Sequence, residues 1–359
     1  MLRIAKRSEV SQVARVAIRI GAVFLALLFS ALLIRALHLQ PLKVYWALIE
    51  GAFGTAYRFR ETVIKAIPLI ITSLGISIAF KMQFWNIGGE GQISMGAFAA
   101  TFFALRYPDL PRPLLLLLMF VAGIAGGGLW ALIPAYFRAR WRTNETIVTL
   151  MMNYIAIKWL TYLQYGPWKD PNALGFPKIP NFSNNAILPA VGGIHAGWII
   201  TLVLVVLVHI FLNYSKKGYE IAVLGESENT ALYAGINIKK TILTAVFISG
   251  GICGLVGMLE ASAVSHTLTA GIAGGVGFTA IITSWLAALK PPLILVVSFL
   301  FAALEQGGSY IQTAFGISGA AAEMLQGLIL FFVLGSEFFT RYKIVLAKNH
   351  TQRTEKEAN

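Results

Sequence analysis

Charge is scarce in this chain, and acid is scarcer than base. Only 13% of the residues are charged, 16 acidic against 29 basic. A soluble domain carries about a quarter charged residues, so a water-soluble globule is excluded. There is one cysteine, Cys253, in 359 residues. That excludes a disulfide framework within the chain, and its apolar, Gly-rich setting makes it a small packing residue. No G-x-x-x-x-G-K-S/T run occurs, so the chain offers no phosphate cradle of that kind. There is no Ser-His-Asp arrangement, and His38, His195, His209, His266 and His350 share no metal-ligand spacing. Neither a catalytic constellation nor a metal centre is legible.

What is present is hydrophobic, at 57% of the residues. A helix needs about 20 apolar residues to cross a bilayer core. Ten stretches come near that, at 16–37, 62–80, 92–105, 113–136, 145–165, 195–214, 241–262, 276–289, 292–307 and 320–339. They predict an all-α polytopic membrane protein of about ten transmembrane helices. Basic residues set the orientation. With the N-terminus in the cytoplasm, inner segments receive Arg3, Lys6, Arg7, Arg15 and Arg19; Lys81; Arg138, Arg140 and Arg142; Lys216, Lys217, Lys239 and Lys240; Lys290; and Arg341, Lys343, Lys348, Arg353 and Lys356. The net charge of +13 is therefore a topology signal and not a nucleic-acid surface. The expected organisation is a cytoplasmic arm at 1–15, an integral domain at 16–340, and a polar cytoplasmic tail at 341–359 that is disordered from 347. The first span lacks a short cationic lead and a small-residue cleavage site, so it is expected to stay as an anchor. The longest outer loop, 166–194, holds Pro167, Pro171, Pro177, Pro180 and Pro189 and reads as a stiff extracytoplasmic cap or a passive connector.

An internal repeat adds organisation. From Asn86 and again from Gly271 the chain runs through a Gly-rich opener, a short apolar helix, a basic residue, prolines and a second apolar helix. The short helices at 92–105 and 276–289 hold 14 residues each. That reaches about 21 Å, short of a hydrocarbon core of about 30 Å. They run in opposite directions in the topology above, as two inverted-topology repeats with short broken helices would. Paired short, Gly-interrupted spans point to a transport pathway.

Three polar stretches stand out. Asn86, Gly88, Gly89, Glu90, Gly91 and Gln92 form the first opener, and Gly274, Gly275 and Gly277 the second. Unwound backbone at membrane depth survives only when buried in protein or facing a water-filled cavity, so these residues are expected to be a hinge or to line a path. The plainer alternative is a cytoplasmic turn, with Glu90 stabilised by the positive end of the next helix. At 142–146, Thr143 or Asn144 is a natural N-cap and Glu145 suits the first turn. The loop 215–240 is too long for a turn. Ser227 or Asn229 can cap a short helix carried on through Thr230–Ala234, and Gly235 can end it in the left-handed conformation. A helix on the membrane surface between two spans can receive a push from a soluble motor. Lys65, Lys158, Glu323 and Glu337 lie near span ends, where they can snorkel or cap. Glu260 and Glu305 lie deeper and are pathway candidates.

The segments ETVIKAIPLIITSLGISIAFKMQFWNIGGEGQISMGAFAA, TNETIVTLMMNYIA and GYEIAVLGESENTALYAGINIKKTILTAVFISGGICGLVG resemble, in that order, the permease subunits of bacterial ABC importers. The likeness is to the nucleoside and simple-sugar branch of the ribose and branched-chain amino-acid permeases, across roughly 45–340. It implies a cytoplasmic (inner) membrane protein, not an enzyme, that binds no cofactor, with ATP and Mg held by a separate cytoplasmic ATPase. It also implies a second homologous permease in a heterodimer, an extracytoplasmic solute-binding lipoprotein that delivers solute near loop 166–194, lipid around the spans, and no nucleic acid. Nucleosides are the expected solute, with simple sugars or riboflavin-like molecules as alternatives. By position, Gly218, Tyr219, Glu220, Gly225, Glu226, Asn229, Tyr233, Ala234 and Gly235 match the family's ATPase-coupling loop. One departure is visible: relatives often carry Arg-Ala-Val-Gly where this chain has Ala222-Val223-Leu224-Gly225, which removes a basic contact at that place. The rival reading is an ion-coupled secondary transporter using Glu260 and Glu305.

Overall fold

A computed structural model describes residues 2–6, 12–173 and 175–346; the tail expected to be disordered, 347–359, lies outside them. In chain order the elements are β1 (Leu2–Lys6), α1 (Gln12–Ala36), α2 (Pro41–Phe53), α3 (Ala56–Lys81), α4 (Gly89–Arg106), α5 (Arg112–Trp141), α6 (Glu145–Tyr165), β2 (Ala190–Val191), β3 (Ile194–His195), α7 (Gly197–Tyr214), α8 (Lys216–Glu226), α9 (Glu228–Tyr233), α10 (Ile238–Leu259), a π-helical turn at Glu260–Ser265, α11 (Val276–Leu286), α12 (Pro291–Phe315), α13 (Gly319–Arg341) and β4 (Tyr342–Leu346). Each expected span falls on a helix. Seven of the described helices are long and apolar enough to cross a membrane, and the bent pair α1–α2, turned by 110°, makes an eighth. The remaining two expected spans are α4 and α11. α4 has 18 residues, longer than its sequence signal, because the glycines Gly89 and Gly91 are themselves helical. α11 keeps only 11 residues.

The chain forms two compact units, one of Met1–Gly51 with Gly307–Asn359 and the other of Ala52–Gln306. In the first, α1 packs on α13, with Phe29 stacked on Phe332 at 5.0 Å. Ile34, Val44, Ile311 and Leu325 fill its core. Leu2–Lys6 of the arm and Tyr342–Leu346 at the start of the tail pair as antiparallel strands β1 and β4.

The second unit is built on α3 and α10. Both are buried over most of their circumference, as expected of helices surrounded by other helices. Thr55 caps α3 by accepting from the Arg58 N–H at 3.2 Å. α4, α5 and α10 meet at a crossing of small residues. A Cβ at Gly254 of α10 would overlap the Gly123 carbonyl of α5, and one at Gly96 of α4 would overlap the Gly254 backbone. Between membrane helices, close backbone approach of this kind supplies the packing that hydrophobicity cannot. The 166–194 loop is packed: Ile179, Phe182 and Ala186 are buried. Thr267 donates to the Ile179 carbonyl at 2.9 Å, and Arg112 to that of Ile187 at 2.7 Å.

Candidate functional site

The chain leaves helical geometry between α3 and α4. Gln83 takes a positive φ of 59°, and Trp85–Ile87 carry backbone groups with no helical partner. Side chains of α6 satisfy several of them. On α6, Thr149 accepts from the Ile87 N–H at 3.2 Å, and Asn153 donates to the Ile87 carbonyl at 2.9 Å while accepting from the Gly91 N–H at 2.8 Å. Glu145, at the start of α6, accepts from the Trp85 N–H at 3.4 Å. Asn86 is fully buried. Its amide exchanges two hydrogen bonds with Gln92, at 3.1 and 2.9 Å, donates to Ser249 of α10 at 3.3 Å, and accepts from the Gly88 N–H at 3.0 Å. A buried polar network with every member paired is rigid and specific. The irregular stretch is therefore 82–88. The expected hinge members Gly89, Glu90, Gly91 and Gln92 are the first turn of α4, so the unwinding falls earlier than the glycines indicate.

The second opener meets the first. Gly274 and Gly275 adopt positive φ, 57° and 84°, while Gly277 already lies in α11. A helix N-terminus presents unpaired N–H groups and a partial positive charge. Glu90 answers both: Oε1 accepts from the Gly275 N–H at 2.8 Å and Oε2 from the Gly277 N–H at 2.9 Å. Gly277 tolerates this approach because a Cβ there would strike the Glu90 backbone. Beside the junction, Trp85 and Trp285 stack at 5.4 Å and 17°, with Phe80 within 5.9 Å of both. Of the deep carboxylates, Glu305 pairs with Lys65 at 3.7 Å, and Glu260 opens the π-helical turn; neither joins the openers.

The 215–240 loop holds two helices, not one. Ser215 caps α8 by accepting from the Gly218 N–H at 2.9 Å. Ser227, and not Asn229, caps α9 through the Thr230 N–H at 3.3 Å. Gly235 ends it with φ 72°. Glu220 accepts from Lys217 at 2.5 Å and from Thr241 at 3.1 Å. The Lys217 hydrogen bond, foremost, holds this carboxyl below its ordinary range. Ile221 and Leu224 are buried, whereas Tyr219, Glu226, Asn229, Tyr233, Ala234 and Gly235 are exposed, Tyr233 at 94%. That exposed face leaves an aromatic-rich surface outside the fold.

The turn between α8 and α9 sits on the break. Gln83 donates its amide to the Gly225 carbonyl, and a Cβ at Gly225 would overlap the Lys81 carbonyl. Arg138 pairs with Glu145 at 3.4 Å and Arg142 with Glu228 at 3.7 Å. Gln83, Gly225, Arg138, Glu145 and Glu228 line a cavity of about 310 Å³. Sequence reasoning missed α8, the Gln83–Gly225 contact and the supports on α6. The last had a signal: Glu145, Thr149 and Asn153 recur every four residues on an otherwise apolar helix, which puts them on one face.

The family model described as "Branched-chain amino acid transport system / permease component" matches residues 59–334, and the chain belongs to that family. It is a multi-pass permease subunit of an ABC importer and not its ATPase. Among curated proteins it is 32% identical to the glucose ABC transporter permease protein TsgB13 of Haloferax volcanii, over 90% of this chain and 88% of the relative. It is 29% identical to the guanosine ABC transporter permease protein NupP of Bacillus subtilis, over 88% of this chain and 92% of that one. NupQ of the same organism, also a guanosine permease, is 28% identical over 61% of this chain and 72% of its own length. Family membership removes the self-powered secondary transporter from contention.

Proposed function

We propose that this permease moves nucleosides inward and that its α8–α9 segment is the coupling element. The observation that carries the coupling reading is the seat of the α8–α9 turn on Lys81, Met82 and Gln83, where α3 ends and the irregular stretch begins. A displacement of α9 by an ATPase passes through Gly225 and Gln83 to a segment that is already free of helical hydrogen bonds. From there it reaches α4, and through Glu90 the N-terminus of α11. In this reading the two openers belong to inverted repeats within a ten-span topology with cytoplasmic termini. The path opens to one side at a time as the halves rock. Exposed Tyr219, Glu226, Asn229 and Tyr233 face the ATPase, which holds ATP and Mg. The packed 166–194 cap receives the solute-binding lipoprotein, and a second, homologous permease completes the channel. That B. subtilis has two guanosine permeases that both resemble this chain supports a heterodimer.

The likeness to a glucose permease, at 32% identity, favours a second solute class, simple sugars. Reconstitution with the cognate binding protein separates the two: guanosine, and not glucose, is expected to stimulate ATP hydrolysis. For coupling, Tyr233→Ala is expected to weaken ATPase association. Gln83→Ala is expected to leave the ATPase bound but blunt solute stimulation. Normal stimulation in both variants, or outward labelling of cysteines placed at 227–235 in intact cells, overturns the assignment.

A further inference from the structure

A second cavity, about 500 Å³, opens where α3, α7 and the α11–α12 link converge. Lys81 at the end of α3, His209 and Asn213 in the last turns of α7, and Lys290 just before α12 line it, and no carboxylate does. Among the described residues neither Lys81 nor Lys290 has an ion-pair partner. Two cations sharing one recess without an acid repel each other, so the recess favours an anion.

The apolar surroundings narrow the choice of anion. N-terminal to His209 and Asn213, α7 carries the exposed Val203, Val206 and Ile210, at 51%, 55% and 49%; Leu293 lines the cavity at 47% exposure, and α12 continues with Val296 and Leu300 at 54% and 58%. Steps of three and four residues put each set on one face of its helix. A pair of apolar stripes leading away from a cationic pocket at the ends of membrane helices has the shape of a phospholipid: headgroup in the pocket, acyl chains along the stripes. Pockets of this kind select anionic headgroups. We infer that Lys81 and Lys290 form a binding site for the phosphate of an anionic phospholipid. The leaflet, but not the site, rests on the orientation proposed above, which makes it the inner one. Lys81 also lends its carbonyl edge to the Gly225 contact, so a bound lipid steadies the end of α3 on which the α8–α9 turn sits.

The test uses the permease–ATPase complex in nanodiscs of mixed phosphatidylglycerol and phosphatidylcholine, with co-purifying lipid counted by mass spectrometry. Lys81→Gln/Lys290→Gln is expected to reduce the preference for phosphatidylglycerol about thirty-fold, at about a factor of five per lysine. Lys81→Arg/Lys290→Arg is expected to retain it. Lys239→Gln/Lys240→Gln, an equal loss of charge elsewhere, is expected to leave it unchanged, and thermal unfolding establishes that each variant is folded. An unaltered preference in Lys81→Gln/Lys290→Gln overturns the site. So does equal loss in the Lys239→Gln/Lys240→Gln control, which would reduce the effect to general charge. Saturable binding of inorganic phosphate to lipid-free protein in detergent, abolished by the same pair, would assign the recess to a soluble anion. Loss of the second permease with lipid preference intact would assign the stripes to a subunit contact. Either result overturns the lipid assignment.

Discussion

Removing the Glu90 carboxylate should destabilise the permease through two specific backbone groups. Glu90 is buried, and its two oxygens accept from the Gly275 and Gly277 N–H groups at 2.8 and 2.9 Å. In Glu90→Ala both donors lose their partner while still shut away from water. Each unsatisfied buried donor costs about 1–3 kcal/mol, so the pair costs about 2–6 kcal/mol. Glu90→Gln keeps the shape but only one of two acceptors, and should cost about half of that. SDS-induced unfolding in mixed micelles, followed by tryptophan fluorescence, reads the loss, with Trp85 and Trp285, stacked at 5.4 Å beside the junction, among the eight reporters. Thr101→Val on the same helix is the control. Among the described residues its buried hydroxyl has no hydrogen-bond partner, so the change should be neutral or stabilising. If Glu90→Ala unfolds at the wild-type SDS concentration, the contact between the openers contributes nothing and the coupling route through α11 fails with it.

Asn153→Ala frees both the Ile87 carbonyl and the Gly91 N–H; about 2–4 kcal/mol should be lost in the same titration, and hydrogen exchange should speed up at 84–91 before it does in α5. Gly254→Ala forces α10 away from α5; overpacking of this kind costs about 1–3 kcal/mol, visible as a lower melting temperature with no change in oligomeric state. Glu220 predicts a pH effect. Its carboxyl titrates below the ordinary carboxylate range because Lys217 holds the charged form, so its stabilisation is complete above that ordinary range and disappears as pH falls through the depressed folded value. The melting temperature of wild type should therefore exceed that of Glu220→Gln at neutral pH and converge with it in acid; a gap that persists in acid refutes the electrostatic account.

How far the sequence reached depended on whether a property was local. Apolar length located most of the span-bearing helices but not α2, because the cost of exposing backbone to lipid is paid residue by residue. Ser227 and Gly235 marked the ends of α9, because capping needs only a side chain and its own next turn. The polar run at 84–92 pointed to a break, and its plainer alternative, a turn with Glu90 in the first turn of the next helix, matches α4. Glycine permits irregular backbone without requiring it, and the break settled at 82–88, where Thr149, Asn153 and Glu145 could satisfy the freed groups. The pairing of Glu90 with residues 185 and 187 positions further on, the seat of Gly225 on Lys81, and the convergence of Lys81 with Lys290 join segments far apart in the chain. Which donor meets which acceptor there is a matter of helix packing in three dimensions. The sequence by itself determined that this protein lives in a membrane and where most of its apolar helices run; the tertiary structure alone decided which turns touch, because contact follows from the crossing of α3, α4, α7 and α11 and not from the order of residues.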